Sequence, residues 1–201
     1  YTLDLTANTG SLVLTGQVGT AAQALGAVQV VSANHLGGNA AAPPTADAGA
    51  IFAASFTQAA GTGTTRLSGV TLTGAFAHSG TALDLNGAVT APAGLSTSGT
   101  TFDNTGGTIT TTNNDIVINH SGAVTIGAAL SSGSGIIDID SSASTIAINA
   151  GINVSTGAVT IDANGLTTVA AAGDISATGA ATVDFGATRT GTLSTAGDIV
   201  S

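Results

Sequence analysis

The chain of 201 residues contains no cysteine, methionine, tryptophan, lysine or glutamate. Without cysteine it forms neither a disulfide framework nor a thiolate metal site. The lack of disulfides is compatible with a chain that is threaded unfolded through an exporter. Because the first residue is Tyr1 and methionine is absent, we expect a processed or excerpted piece whose signal peptide has been lost from view.

Charged residues make up 6% of the chain, compared with roughly 25% in an ordinary globular domain. All eleven acidic residues are Asp, the two basic residues are Arg66 and Arg189, and the formal net charge is −9. Binding of phosphates needs clustered Lys or Arg, so we expect no nucleic-acid partner. No run approaches the roughly 20 continuous apolar residues of a transmembrane helix, and we expect no membrane insertion. A hydrophobic fraction of 43% argues against disorder.

The dominant positive feature is a repeat over residues 93–201. One apolar position recurs after 21, 21, 22 and 24 residues, and a second recurs after 22, 23 and 24. The first series consists of Leu95, Ile116, Ile137, Val159 and Val183, and the second of Leu130, Ile152, Ile175 and Ile199. A period in the twenties with glycine-rich corners is typical of a solenoid, whose coils bury their apolar faces only against neighbouring coils.

Short alternating triplets fill the repeat, for example Val28-Gln29-Val30, Leu83-Asp84-Leu85 and Ile137-Asp138-Ile139. This alternation predicts half-buried strands whose end residues point inwards. Gly, Asn, Asp and Ser between the triplets suit tight corners. About three strands fit each coil of ~22 residues, which predicts an all-β parallel β-helix (β-solenoid) with three faces. Eight or nine coils at ~4.8 Å each make one rod of residues 1–201, roughly 40 Å long.

Residues 34–67 interrupt the rhythm and predict an insertion that loops out of the solenoid. The segment holds two of the three prolines, and Phe52 and Phe56 stand four residues apart, which fits either a short helix or an extended strand. Two interpretations stay open, a flap covering the first coils or an interaction surface. For the second interpretation the candidate residues are Phe52, Phe56 and His35.

The aspartates are the residues to consider for catalysis, because β-helical enzymes use clustered carboxylates. Asp138 and Asp140 would share the outer face of one strand, but the repeat places Val117 and Thr160 beside Asp138 in the adjacent coils. With no Glu, no Lys and two distant Arg, little is present to shift a pKa or to stabilise an anion. We expect no catalytic residues, and therefore no enzyme.

No cofactor or metal site is expected either. Asp115, Asp174 and Asp198 each precede an Ile at what the repeat treats as an equivalent corner, and a turn-capping role explains them better than a bound cation. The three histidines occur in unrelated contexts, and the tandem glycine-aspartate repeat of calcium-binding β-helices is absent.

An ice-binding face would need regular columns of Thr-x-Thr on a flat side. Thr108-Ile109-Thr110 fits this pattern locally, but in the sequence the neighbouring coils do not repeat it. The sequence therefore argues against this function.

Three sequence segments are typical of one group of proteins, namely residues 3–12, 83–89 and 156–165. The third segment reads Thr-Gly-Ala-Val-Thr-Ile-Asp-Ala-Asn-Gly. With them the chain resembles the giant repetitive surface proteins of the filamentous-haemagglutinin and autotransporter-passenger type. That resemblance implies a right-handed β-helix, export, and a location outside the cell or on its surface, in a Gram-negative-type bacterium.

Two functional classes follow from these observations. The first is a structural segment of an extracellular fibre, sheath or adhesin stalk. Strand-like sequence runs from Leu3 to Val200 without a polar or helical cap, so we expect further coils or end-to-end stacking of copies. The alternative is an adhesion module that recognises a surface glycan or protein through residues 34–67 or an exposed face.

Overall fold

The computed structural model describes residues 1–179, 182–186 and 191–201. These residues form 26 short strands, numbered β1 to β26 along the chain, and no helix. Successive strands along the chain belong to different sheets, and each pairs in parallel with the strands one coil before and after it. Three parallel sheets result, here called A, B and C, in a solenoid of about nine coils. The predicted all-β parallel β-helix is confirmed.

The strand bounds follow the predicted triplets closely. Sheet A contains β1 (Thr2–Thr6), β3 (Ala27–Ser32), β6 (Phe56–Gln58), β9 (Phe76–Ser79), β12 (Leu95–Gly99), β15 (Ile116–His120), β18 (Ile137–Ser141), β21 (Val159–Ala163) and β24 (Val183–Phe185). Sheet B contains β2 (Ser11–Val13), β4 (His35–Gly37), β7 (Thr64–Leu67), β10 (Ala82–Leu85), β13 (Thr101–Asp103), β16 (Val124–Ile126), β19 (Ile146–Ile148), β22 (Leu166–Val169) and β25 (Thr192–Thr195). Sheet C contains β5 (Ile51–Ala53), β8 (Val70–Leu72), β11 (Val89–Thr90), β14 (Ile109–Thr110), β17 (Leu130–Gly133), β20 (Ile152–Val154), β23 (Ile175–Ala177) and β26 (Ile199–Val200).

The core lies inside the three sheets and consists of side-chain columns that run from coil to coil. Leu95, Ile116, Ile137, Val159 and Val183 are direct neighbours in sheet A. Leu130, Ile152, Ile175 and Ile199 are direct neighbours in sheet C. Both predicted series are therefore columns of the solenoid. Since successive residues of a strand face opposite sides, the period of two selects which residues enter the core.

The structure corrects the predicted insertion at 34–67. That segment contributes β4, β5, β6 and β7 to the three sheets, so most of it belongs to regular coils. The excess is the stretch 38–50 between β4 and β5, here called the 38–50 loop. It lengthens one coil, because the chain needs 28 residues from Val28 to its neighbour Phe56 but only 20 from Phe56 to Phe76.

The helical alternative for this segment is also wrong. Phe52 lies in β5 of sheet C, and Phe56 lies in β6 of sheet A. A corner separates the two residues, so their spacing of four reflects a change of sheet. Phe56 packs in the core against Phe76, whereas Phe52 points outwards and is half-buried.

Candidate functional site

The three candidate interaction residues do not form one surface. Phe56 is fully buried, which corrects its assignment to an interaction surface. Phe52 is an outward residue of sheet C, and His35 is a half-buried residue on sheet B. The three residues thus belong to three different sheets, and one of them lies in the core.

His35 is held by the neighbouring coil. Its Nδ1 accepts a hydrogen bond from the backbone N–H of Thr64 at 2.8 Å. Its ring also packs on Gly63, where an added Cβ would lie 2.4 Å from the imidazole Cε1. These contacts join two consecutive coils of sheet B and give His35 a structural role.

The 38–50 loop folds back onto the outer side of sheet B. Its two ends are joined by a bond from the Gly38 N–H to the Ala46 carbonyl, at 2.8 Å. The Asn39 side chain bonds both the hydroxyl and the N–H of Thr45. Pro44 is buried against Gly37, where a Cβ would lie 2.5 Å from the proline ring. The 38–50 loop is therefore a compact flap on the outer face of sheet B.

Arg66 fastens the 38–50 loop to sheet B. Its Nε lies 3.1 Å from Asp47 Oδ1 in the loop, and one terminal nitrogen lies 2.5 Å from Asp84 Oδ2 in the next coil. Asn86 donates a further bond of 2.8 Å to Asp47. Burial raises the pKa of Asp84; Arg66 opposes this shift, and the carboxylates of Asp103 and Asp47 add to it. One guanidinium thus pairs with two carboxylates, those of Asp47 and Asp84.

The outer face of sheet A carries a second group of carboxylates. Asp138 lies between Val117 and Thr160, as expected from the repeat. Asp140 and Asp162, two residues further along their strands, are neighbours in consecutive coils, and neither is without an interaction partner. The pKa of Asp138 is raised by burial and then by Asp140 and Asp162. Within the described ranges no set of three His or Asp side chains is arranged to hold a metal ion.

Two of the three corner aspartates cap backbone of the next coil. Asp115 accepts the Ile136 N–H at 3.0 Å, and Asp174 accepts the Asp198 N–H at 2.9 Å. The corners are not equivalent, which corrects the alignment: Asp115 precedes a strand of sheet A, and Asp174 and Asp198 precede strands of sheet C. Asp115 and Asp174 nevertheless share the capping role, because a backbone N–H of the next coil lies within reach of each carboxylate.

His78 and His120 both lie inside the solenoid beside Thr97, an arrangement that the sequence contexts did not indicate. Both are inward residues of sheet A, 3% and 0% exposed, in coils separated by that of Thr97. His120 Nε2 lies 3.2 Å from the Thr97 hydroxyl. Neither ring nitrogen of His78 has a hydrogen bond within the described chain, nor has His120 Nδ1.

Both imidazoles are held neutral by their surroundings. The pKa of His78 is lowered to about 3, mainly by burial and in addition by the nearby His120, while the backbone of Ser98 acts in the opposite direction without reaching hydrogen-bond geometry. Burial lowers the pKa of His120 to about 4. A buried imidazole without a carboxylate partner resists protonation because the charged form would lose its hydration.

Sheet C presents an uncharged outer column. Outward residues of six consecutive coils are direct neighbours: Thr71, Thr90, Thr110, Ser131, Asn153 and Ser176, here called the polar column. The adjacent coils continue Thr110 but do not repeat the Thr-x-Thr pattern of Thr108-Ile109-Thr110, because the residues at the position of Thr108 in these coils are Ala88 and Ala129. Unequal coil lengths hid the column, since the hydroxyl residues recur after 19, 20 and 21 residues and belong to triplets of different composition.

No protein-family model, curated protein or solved structure matches the chain. Among the described residues no helix has the length and apolar character needed to cross a membrane. The geometry of the solenoid is thus the basis for the functional proposals below.

Proposed function

We propose that the chain is a structural segment of a bacterial extracellular fibre, sheath or adhesin stalk. The observation that carries this proposal is the continuity of the three parallel sheets, which run side by side through the coils. Every coil contributes backbone hydrogen bonds along the rod and inward apolar side chains across it. Such a molecule resists extension and needs no site for chemistry.

The energetics favour a rod that can be lengthened coil by coil. A buried Ile, Val or Leu side chain contributes about 1.5–3 kcal/mol relative to exposure, and each coil of the middle region buries several. Residues 109–148 alone bury ten such side chains, namely Ile109, Ile116, Ile118, Val124, Ile126, Leu130, Ile137, Ile139, Ile146 and Ile148. Because a coil packs only on its neighbours, stability grows with each added coil and needs no new topology.

The last described coil supports the proposed continuation or end-to-end stacking. Leu193 and Ile199 stand in register with the inward residues Thr167 and Ile175, yet they are 44% and 37% exposed. A further coil or a second copy would cover them and extend the same ladders. An uncovered strand edge offers unpaired N–H and C=O groups to such a partner.

Export to the cell surface is part of the same proposal. A chain without cysteine needs no oxidative folding after translocation, and a solenoid can fold progressively from one end as it emerges. The resemblance to haemagglutinin-type repeats supports the same location.

Electron microscopy of the isolated chain, together with its mass in solution, tests this function. We expect filaments with continuous density along the axis. The Leu193→Lys variant places a charge on the uncovered end and should shorten or abolish them. Ile136→Lys is the matched control, because Ile136 is similarly exposed (40%) but lies on the side of the rod at a corner. Discrete monomeric rods from the unaltered chain would contradict the stacking proposal.

The alternative function is adhesion to a glycan or protein through residues 34–67 or an exposed face. The observation in its favour is the 38–50 loop, a compact structure that is fixed to sheet B by Arg66. Burial of Phe56 removes one of the aromatic residues on which a glycan would stack. Binding of the intact chain to a glycan array, lost on deletion of residues 40–45, would favour this alternative.

A further inference from the structure

Polar side chains replace apolar ones at one inward position of sheet A. In three consecutive coils this position holds Gln58, His78 and Thr97, which are direct neighbours and at most 3% exposed. The coils before and after them carry Val30 and Ile118 at the same position. The apolar core of the rod is therefore interrupted over three coils by groups that need hydrogen bonds.

The residues on either side of His78 have hydrogen-bond partners, but His78 has none. Gln58 accepts a bond from the Thr65 hydroxyl at 2.9 Å, and the Thr97 hydroxyl lies 3.2 Å from His120 Nε2. Both ring nitrogens of His78 and the Nδ1 of His120 are buried without a partner in the part of the chain that the structure describes. Because burial of an unpaired polar atom is unfavourable, these coils pack less favourably than purely apolar ones.

The corner between sheets A and B is built from glycine beside His78. Gly61, Gly80 and Gly99 follow one another at intervals of 19 residues, and all three are half-buried. A Cβ added at Gly80 would lie 2.9 Å from His78 Nε2, so the imidazole packs directly beside this backbone. Opening of the corner would therefore bring water to the imidazole without the movement of a covering side chain.

The interior offers no charge partner to a protonated imidazole. Inward residues of sheets B and C in these coils are uncharged and include Thr65, Leu83, Phe102, Val70, Val89 and Ile109. Charged residues of the strands packed around the histidines point outwards, namely Arg66, Asp84 and Asp103 in sheet B and Asp138 and Asp140 in sheet A. Asp115 lies at an exposed corner. The other titratable group in the interior is the second histidine, whose charge would repel the first.

We propose that residues 76–120, the coils of His78, Thr97 and His120, form an acid-sensitive joint of the rod. At neutral pH the imidazoles are uncharged and the coils stay packed. A proton taken up from solvent creates an imidazolium that the interior cannot pair, so this form is stable only where water reaches it. Neighbouring coils then separate at the glycine corner. Because each coil packs only on its neighbours, the opening stays local.

Residues 137–179 are an internal reference for this joint. Ile139 and Ile161 occupy there the inward position that His78 occupies in its own coil, and both are fully buried. No imidazole lies in that segment, so acid should not open it by this mechanism. The joint is a property of the single chain and does not depend on end-to-end stacking.

Hydrogen–deuterium exchange of the intact chain at pH 7.5 and pH 5, read by mass spectrometry of peptides, tests the joint. Protection factors remove the pH dependence of exchange itself. The pKa values of His78 and His120 are about 3 and about 4 in the closed rod, and near 6.5 once exposed. Between the two pH values, opening that exposes one imidazole should therefore become about 30-fold more favourable, and opening that exposes both on the order of 10³-fold.

We expect the protection of residues 76–120 to fall by at least this single-imidazole factor, and that of residues 137–179 to change little. The His78→Gln/His120→Gln variant keeps polar side chains that do not titrate, and should lose the effect. His35→Gln is the matched control, because His35 is a half-buried residue on the outer side of sheet B, and it should retain the effect. Circular dichroism at pH 7.5 verifies the fold of both variants.

Two results with the unaltered chain alone overturn the proposal. One is unchanged protection of residues 76–120 at pH 5, and the other is an equal loss in residues 76–120 and 137–179, which would indicate global unfolding. An undiminished effect in the double glutamine variant overturns it as well. These outcomes are independent of whether filaments form, so failure of the joint and failure of the proposed stacking are distinguishable.

Discussion

Phe56 and Phe76 stack in consecutive coils of sheet A, with ring centroids 5.0 Å apart and an interplanar angle of 13°. Phe56 begins the coil that directly follows the 38–50 loop, and Phe76 begins the next one. Both rings are fully buried, so the pair packs these two coils against each other in the core.

The first prediction concerns this stack. Phe56→Ala should lower the free energy of unfolding by about 3–5 kcal/mol, because it removes a buried ring and leaves a cavity. Phe52→Ala is the control and should cost clearly less, since Phe52 is half-buried and outward. Urea unfolding followed by circular dichroism measures both. Equal losses would show that Phe56 does not occupy the core.

A close approach between coils at one corner leads to the second prediction. A Cβ added at Gly87 would lie 1.2 Å from the Ser68 carbonyl oxygen, and no side chain can move to relieve this contact because the partner is backbone. Gly87→Ala should therefore disrupt the adjacent coils and lower the unfolding midpoint strongly. Gly16→Ala is the matched control, since nothing lies within 4 Å of its added Cβ; it should be neutral. Thermal unfolding of the two variants measures both midpoints, and equal midpoints would contradict the close approach at Gly87.

Arg66 is the subject of the third prediction. Arg66→Ala leaves the carboxylates of Asp47 and Asp84 without their cation, and we expect a loss of about 1 kcal/mol, the upper range for partly exposed pairs. The 38–50 loop should become accessible to hydrogen exchange before the rest of sheet B. Because salt screens exposed charges, the loss should shrink at high ionic strength. Unchanged exchange of residues 38–50 would contradict the anchoring role.

The fourth prediction is a dependence of stability on pH. The pKa values of His78 and His120 are lowered to about 3 and about 4, whereas an unfolded histidine titrates near 6.5. Below pH 6.5 the unfolded chain therefore binds protons that the folded chain does not bind. The free energy of unfolding consequently decreases as the pH is lowered. The stability should have its full value above pH 6.5 and should decline as the pH drops towards 4.

Urea midpoints between pH 7.5 and pH 4 measure this effect, and the His78→Phe/His120→Phe variant should flatten the curve. The raised pKa values of Asp84 and Asp138 increase stability as the pH is lowered, which is the opposite effect. The comparison with the double variant therefore isolates the contribution of the histidines to the pH dependence. An identical slope in both proteins would mean that the two imidazoles do not titrate on unfolding.

The sequence alone determined the architecture, because one local rule governs it. In a strand alternate residues face the core, so the triplets show which residues point inwards, and their recurrence shows how coils stack. Leu95, Ile116 and Ile137 became one column for this reason. The turn-capping role of Asp115 and Asp174 was also predictable from the sequence, because Asp in a tight turn commonly accepts a backbone N–H.

Only the tertiary structure decided which outward or polar residues meet. Coils of unequal length shift the numbering between neighbours, so Thr71, Thr90 and Thr110 share a column that no constant period reveals. His78 and His120 likewise lie on either side of Thr97, because the stacking of coils places residues far apart in sequence next to one another. The bounds of the 38–50 loop were also set by the tertiary structure, because they depend on the pairing of β4 and β5 with strands of neighbouring coils. Apolar periodicity is a property of each strand, whereas these contacts depend on register between strands, which hydrogen bonding across coils sets.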